Sequence, residues 1–175
     1  MKKSAFLILA ILLPLFGFSQ SFDASHLRVG GGLVYGTDID NVGIEINGVY
    51  QFDEQWEGGI AFTHFFEKIY TNWNVLDFDG HYIFYSDNSK LNVYGMAGLS
   101  LTFAKIDIPG TTYTDPNFGT ISMPGVTASK TDAGLNIGGG VNYALTDQLN
   151  LAPELKVTIM NGSYVRMGVN LQYRF

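Results

Sequence analysis

Asp77, Asp79 and His81 occupy every second position of one stretch, a spacing that puts all three side chains on the same face of a strand. Two carboxylates and an imidazole form a donor set that Zn²⁺ accepts. The same trio can instead serve as counter-ions for buried Arg and Lys. Because ligand identity without geometry does not make a site, no metal is expected. Asp38, Asp40 and Asn41 hold the oxygens for a surface Ca²⁺ but lack the rest of a calcium loop, so a polar turn is expected there. The triplets Gly30–Gly32 and Gly138–Gly140 would cradle a phosphate only if a helix followed, and none does. Asn161-Gly162-Ser163 fits an acceptor sequon and is read as a tight turn. His64 with Ser100 or Thr63 is the loosest of nucleophile–base pairs. The chain has no cysteine, which excludes a thiol nucleophile, thiolate metal ligands and disulfides. The expectation is therefore no catalytic residue, no cofactor and no metal.

The elements that must position these residues are written in the alternation. From Val165 to Phe175 apolar and polar residues alternate without a miss, and Val165, Met167, Val169, Leu171, Tyr173 and Phe175 share one face. A tilted strand of about 9–11 residues crosses a bilayer. Seven earlier segments repeat the pattern: Leu27–Tyr35, Val42–Phe52, Trp56–Phe62, Leu76–Phe84, Leu91–Phe103, Ala133–Tyr143 and Leu149–Ile159. None of the eight apolar faces contains Asp, Glu, Lys or Arg. A mid-membrane Lys or Arg facing lipid costs about 2–4 kcal/mol, so this is the pattern that lipid imposes. Beyond residue 19 no apolar run is long enough for a membrane helix, and only a closed barrel satisfies every backbone group in hydrocarbon. The fold expected is an all-β, eight-stranded antiparallel up-and-down transmembrane barrel. Pro153, inside the seventh segment, predicts a bulge or broken pairing.

Residues 1–19 read as a cleaved export signal: Lys2 and Lys3, the apolar run Ala5 to Leu15, then small residues up to Ser19. Residues 20–175 form one domain. Removing a signal with two lysines and no acids leaves eight bases against sixteen acids. Such an acidic chain is a poor match for nucleic acid. Aromatics at 14 % separate it from disordered glycine-rich chains, despite 21 glycines.

The connections divide by side. Asp53–Gln55, Ser86–Lys90 and Thr146–Gln148 are short; Thr37–Asn41, His64–Trp73, Lys105–Thr131 and Met160–Ser163 lie at the other end, and both long ones fall there. Outer-membrane barrels have tight periplasmic turns and longer external loops. Loop 105–131 is thus the main external loop, with room for hairpin structure of its own and for an outside ligand. Phe52, Trp56, Phe84, Tyr143, Tyr173 and Phe175 cluster near the short turns and Tyr35, Phe62 and Phe103 near the loops, implying two aromatic girdles.

The opposite faces contain Arg28, Glu45, Glu57, Asp77, Asp79, His81, Glu154, Lys156, Arg166 and Arg174. Eight strands enclose just enough space for side chains to fill, so a polar plug is expected in place of a channel. Register across Thr146–Gln148 sets Gly140 opposite Glu154 and Gly138 opposite Lys156, and on the other flank Thr158 opposite Tyr164 sets Lys156 opposite Arg166. Two facing cations repel, and Glu154, diagonal to Arg166, is the expected compensating carboxylate.

Signal, eight strands, side-dependent loops and the final Tyr-Arg-Phe together resemble the small outer-membrane barrels of the OmpA and OmpX type, across Gln20 to Phe175. The resemblance implies a Gram-negative outer membrane, contact with its lipids and lipopolysaccharide, and a structural or surface-interaction role without catalysis. It also implies that Val169, Leu171, Tyr173 and Phe175 form the signal read by the barrel-assembly machinery. No periplasmic domain follows Phe175, so wall tethering is not carried over. Three alternatives stay open: a small-solute pore, an outer-membrane enzyme acting on lipid A, and a secreted lipocalin-like barrel with the apolar face inward.

Overall fold

The computed structural model describes residues 23–87, 90–115 and 119–175. The signal reading over 1–19, and part of the Ser86–Lys90 turn, lie outside the described residues. A 3₁₀ turn, Ala24–His26, is capped by the Asp23 carboxylate accepting from Ser25 N at 3.0 Å. Ten strands follow: β1 Leu27–Gly36, β2 Asn41–Gln51, β3 Trp56–Lys68, β4 Thr71–Ser86, β5 Leu91–Ile108, β6 Thr111–Asp115, β7 Gly119–Met123, β8 Val126–Ala144, β9 Leu149–Ile159 and β10 Tyr164–Arg174. Eight of them close antiparallel in the order β1-β10-β9-β8-β5-β4-β3-β2, while β6 and β7 form a separate two-stranded hairpin.

Closure is staggered. Partners traced from Leu27 run through Tyr50, Gly58, Gly80, Ala97, Ile137, Val157 and Val165, whose carbonyl then accepts from Thr37 N, ten residues on from Leu27 and just past the end of β1. A stagger of this kind is what tilts strands in a barrel by about 35–45°.

The alternation resolves into outside and inside as the charge distribution demands. Leu33, Val169 and Leu155 are 60 %, 49 % and 52 % exposed on the outer wall, whereas Arg166 and Lys156 are 3 % and 5 % exposed at the axis. A lipocalin-like arrangement would have the reverse order. Near the short turns Trp56 packs on Tyr82 at 5.0 Å and Tyr173 on Phe175 at 5.2 Å, as rings at headgroup level do.

Two boundaries differ from the sequence reading, and one irregularity follows it. The expected loop His64–Trp73 is strand: β3 runs to Lys68, β4 starts at Thr71, and only Ile69 and Tyr70 turn the chain, both with positive φ (50° and 61°). Two left-handed central residues suit a tight hairpin, but glycine or asparagine normally supplies them, so this turn has no sequence signature. Likewise the ladder of β5 and β8 extends through Ile108 and Val126, well into the expected loop 105–131, which also holds the β6–β7 hairpin. At Pro153 the β8–β9 ladder skips between Gly140–Glu154 and Tyr143–Leu151 without changing register, while β10 still pairs at Val169. That gap is the broken pairing a residue without N–H produces.

Candidate functional site: the barrel lumen and its two mouths

The lumen is filled in layers. Toward the short-turn end, Arg28 donates from both terminal nitrogens to Glu57 at 2.9 and 2.8 Å and from Nε to Gln172 at 3.1 Å. His81 Nδ1 lies 3.6 Å from Glu57, and its ring stacks on Tyr94 at 4.7 Å. Tyr94 in turn donates its hydroxyl to Glu154 at 2.6 Å. Arg174 lies at this mouth, directly opposite Arg28 in register.

At mid-barrel, Asp77 accepts two hydrogen bonds from Arg166, at 2.6 and 3.0 Å, and Lys156 bridges to Asp79 at 2.6 Å and to Asp77 at 3.4 Å. Asn136 donates to both carboxylates at 2.9 Å and accepts from Thr158 and Arg166. Glu45 stands on the far wall, accepting from Thr63 and Asn170 at 2.8 Å.

The register around Glu154 is the one expected, with Gly140 and Gly168 on its two sides and Lys156 facing Arg166. The compensation differs. Asp77 and Asp79 neutralise the facing cations across the lumen, and Glu154 is engaged by Tyr94. Neighbour-strand reasoning missed this because the partners come from strands sharing no ladder with β9 or β10. The geometry also divides the Asp77–Asp79–His81 trio: both carboxylates belong to the Lys156–Arg166 cluster, while His81 turns toward Glu57 and Tyr94.

Asn136, Gln172, Thr158 and Tyr94 are structural members that the search for charged residues overlooked. Their sequence signal was available: each lies on the face of its strand opposite the apolar one. Two voids of about 10 Å³ each remain around Glu45, Glu154 and Lys156, roughly the space of one water.

The outer mouth is closed differently. Val34, Phe65 and Val75 are buried, with Ile39 and Trp73 packed against them. Trp73 meets the Tyr164 ring edge-on at 6.4 Å, and Tyr164 receives the Arg166 guanidinium over its face at 5.5 Å. An apolar cork thus caps the ionic layer. Above it, Lys68 donates to the carboxylate and carbonyl of Asp40 at 2.5 and 2.6 Å, and Tyr35 donates its hydroxyl to the same carboxylate at 2.7 Å. These contacts hold the Asp40 carboxyl below the usual range, the Lys68 ammonium contributing most. Asn41 donates to the Phe66 carbonyl and ties the same turn to β3.

Beyond the membrane, the 18 residues of β5 and 19 of β8 far exceed what a bilayer needs. The β6–β7 hairpin has Tyr113, Ile121 and Met123 exposed on one face and a hydroxyl ladder on the other, Thr112 with Ser122 at 3.2 Å and Thr114 with Thr120 at 3.1 Å.

At the short-turn end lies an open vestibule of about 560 Å³, walled by Gln51, Gln55, Asn92, Asn142, Asn150 and Arg174, among others. His64, the loose candidate for a base, donates from Nδ1 to Asn74 Oδ1 at 2.8 Å. It lies on the outer-wall side of its strand, whereas Ser100 and Thr63 are buried at the axis, so no nucleophile–base pair forms.

Residues 9–175 match the family described as outer membrane protein beta-barrel domain. The fold is similar to that of Ail, the attachment invasion locus protein of Yersinia pestis, at 15 % identity and TM-score 0.57, covering 85 % of this chain and 96 % of that one. The N-terminal β-barrel domain of Pseudomonas aeruginosa OprF is similar at 16 % identity and TM-score 0.60, with 86 % and 98 % covered. Neisserial surface protein A is similar at 16 % identity and TM-score 0.62, with 86 % and 97 % covered. A further structure holds Ail in complex with the heparin analogue sucrose octasulfate. No curated protein matches the chain.

Proposed function

Because this chain belongs to the outer membrane protein beta-barrel domain family, we propose that it acts as a closed anchor in a Gram-negative outer membrane, presenting the β5–β8 extension and its hairpin to the exterior. The observation that carries this reading is the stack across the lumen: the Phe65 cork above, the Asp77–Arg166–Lys156 layer beneath, and voids of about one water each around Glu45, Glu154 and Lys156. A pore needs a continuous water path, and two different seals stand in it. The role is structural or adhesive and not catalytic: at the centre of the lumen the charged side chains engage one another, Arg28 with Glu57, Lys156 with Asp79 and Arg166 with Asp77.

Lipid and lipopolysaccharide contact the uncharged outer wall in this reading. The last strand, with Val169, Leu171, Tyr173 and Phe175 all outward, is offered to the assembly machinery. Residues 1–19 serve as the export signal for the barrel of 20–175. The outside partner binds the β6–β7 hairpin through Tyr113, Ile121 and Met123. The test is conductance in planar bilayers together with pull-down of the hairpin face. Silent bilayers support the anchor; stepwise channels from the intact protein overturn it.

A further inference from the structure

Arg174 is a cation with no carboxylate. It faces Arg28 across the β1–β10 ladder, and the carboxylate beneath them, Glu57, is engaged by both terminal nitrogens of Arg28. Among the described residues Arg174 forms no ion pair. Next to it around the wall stand three asparagines: Asn150 lies diagonal to Arg174, Asn142 diagonal to Asn150, and Asn92 opposite Asn142. Asn142 and Asn150 are only 5 % and 3 % exposed, yet Asn142 Oδ1 and Asn150 Nδ2 have no hydrogen-bond partner. All four residues line the 560 Å³ vestibule, joined by Gln51 and Gln55, with Lys90 and Glu54 also on its wall.

Buried polar atoms left unsatisfied are costly and call for a partner. Here the unmet demands are one anion at Arg174, one acceptor for Asn150 and one donor for Asn142, around a cavity large enough for a single sugar ring. We infer that the vestibule at the short-turn mouth binds a small polyhydroxylated carboxylate, of the sugar-acid class, with its carboxylate on Arg174 and its hydroxyls on Asn150 and Asn142. Short turns face the periplasm in outer-membrane barrels, so the ligand arrives from that side, beneath the sealed layers, and is held without being conducted.

Titration of the barrel in lipid nanodiscs with D-glucuronate, followed by side-chain amide and guanidinium NMR, tests this. Saturable shifts confined to Asn142, Asn150 and Arg174 are expected, and none with D-glucose, which lacks the carboxylate. R174Q is expected to weaken binding about tenfold or more, as loss of a charge-assisted hydrogen bond does. N142D, which adds a like charge to the ligand, weakens it independently of Arg174. Both variants are first checked for the unheated compact gel form. Absence of a saturable shift into the millimolar range, or equal affinity in R174Q, overturns the assignment.

Discussion

Arg166 on β10 and Asp77 on β4 meet across the full diameter of the barrel. The two strands lie four places apart in a closed ring of eight, and the guanidinium donates to both carboxylate oxygens at 2.6 and 3.0 Å. Lys156, directly opposite Arg166 on the β9–β10 ladder, reaches the same carboxylate. Asp77 therefore ties two walls and cancels a like-charge contact. Asp77→Asn is expected to destabilise the barrel by about 3–5 kcal/mol, the cost of leaving a buried cation without its partner. Glu154→Gln, which removes only the charge from a bond to Tyr94, is expected to cost less, about 1.5–3 kcal/mol. Denaturant unfolding in detergent checks the order; equal midpoints for the two variants would contradict it.

Phe65 has no exposed surface and fills the outer mouth with Val34 and Val75. Phe65→Ala leaves a cavity and is expected to cost about 3–5 kcal/mol. It should still not produce a channel, because the ionic layer lies below. Bilayer recordings that stay silent, with a lowered unfolding midpoint, are the predicted pair of results. Open-channel steps would show that the cork alone seals the barrel.

Three external lysines are already paired: Lys68 with Asp40, Lys105 with Asp107 and Lys130 with Asp132, at 2.5, 3.2 and 2.7 Å. No free cationic patch is left at these positions for a sulfated polyanion of the kind held by Ail. The intact protein is expected to pass through a heparin column at physiological salt. D40N/D107N/D132N, which frees all three ammonium groups, is expected to be retained in a salt-sensitive way. Retention of the unaltered protein would contradict the electrostatic argument.

The Asp40 carboxyl titrates below its ordinary value because Lys68, and then Tyr35, hydrogen-bond to its charged form. A depressed carboxyl stabilises the fold above its unfolded value, near pH 4. That contribution disappears as the pH falls through the folded value. K68M should move the Asp40 carbon-13 midpoint upward. An unchanged midpoint would mean the contact is not made in solution.

The barrel was legible in the sequence wherever lipid enforces it. Val169 and Leu155 had to be outward and Arg166 and Lys156 inward, because a charge on the lipid face is too costly. Legibility ended where the chain leaves the bilayer. The outer halves of β3 and β4 lose the alternation at Glu67 and Lys68, and their turn uses Ile69 and Tyr70, which no turn preference would select. Phe65 was consequently lost to an expected loop. Within the lumen, register gave the Lys156–Arg166 contact but not its counter-ion, since Asp77 reaches it across the axis and not along the wall.

The natural absence of cysteine allows the central claim to be read directly. A spin label placed singly at each position from 165 to 171 in reconstituted barrels would report contact with lipid-dissolved oxygen. High accessibility at 165, 167, 169 and 171, with low values at 166, 168 and 170, is the predicted period of two. The opposite phase would put the ionic face against the acyl chains and contradict the account.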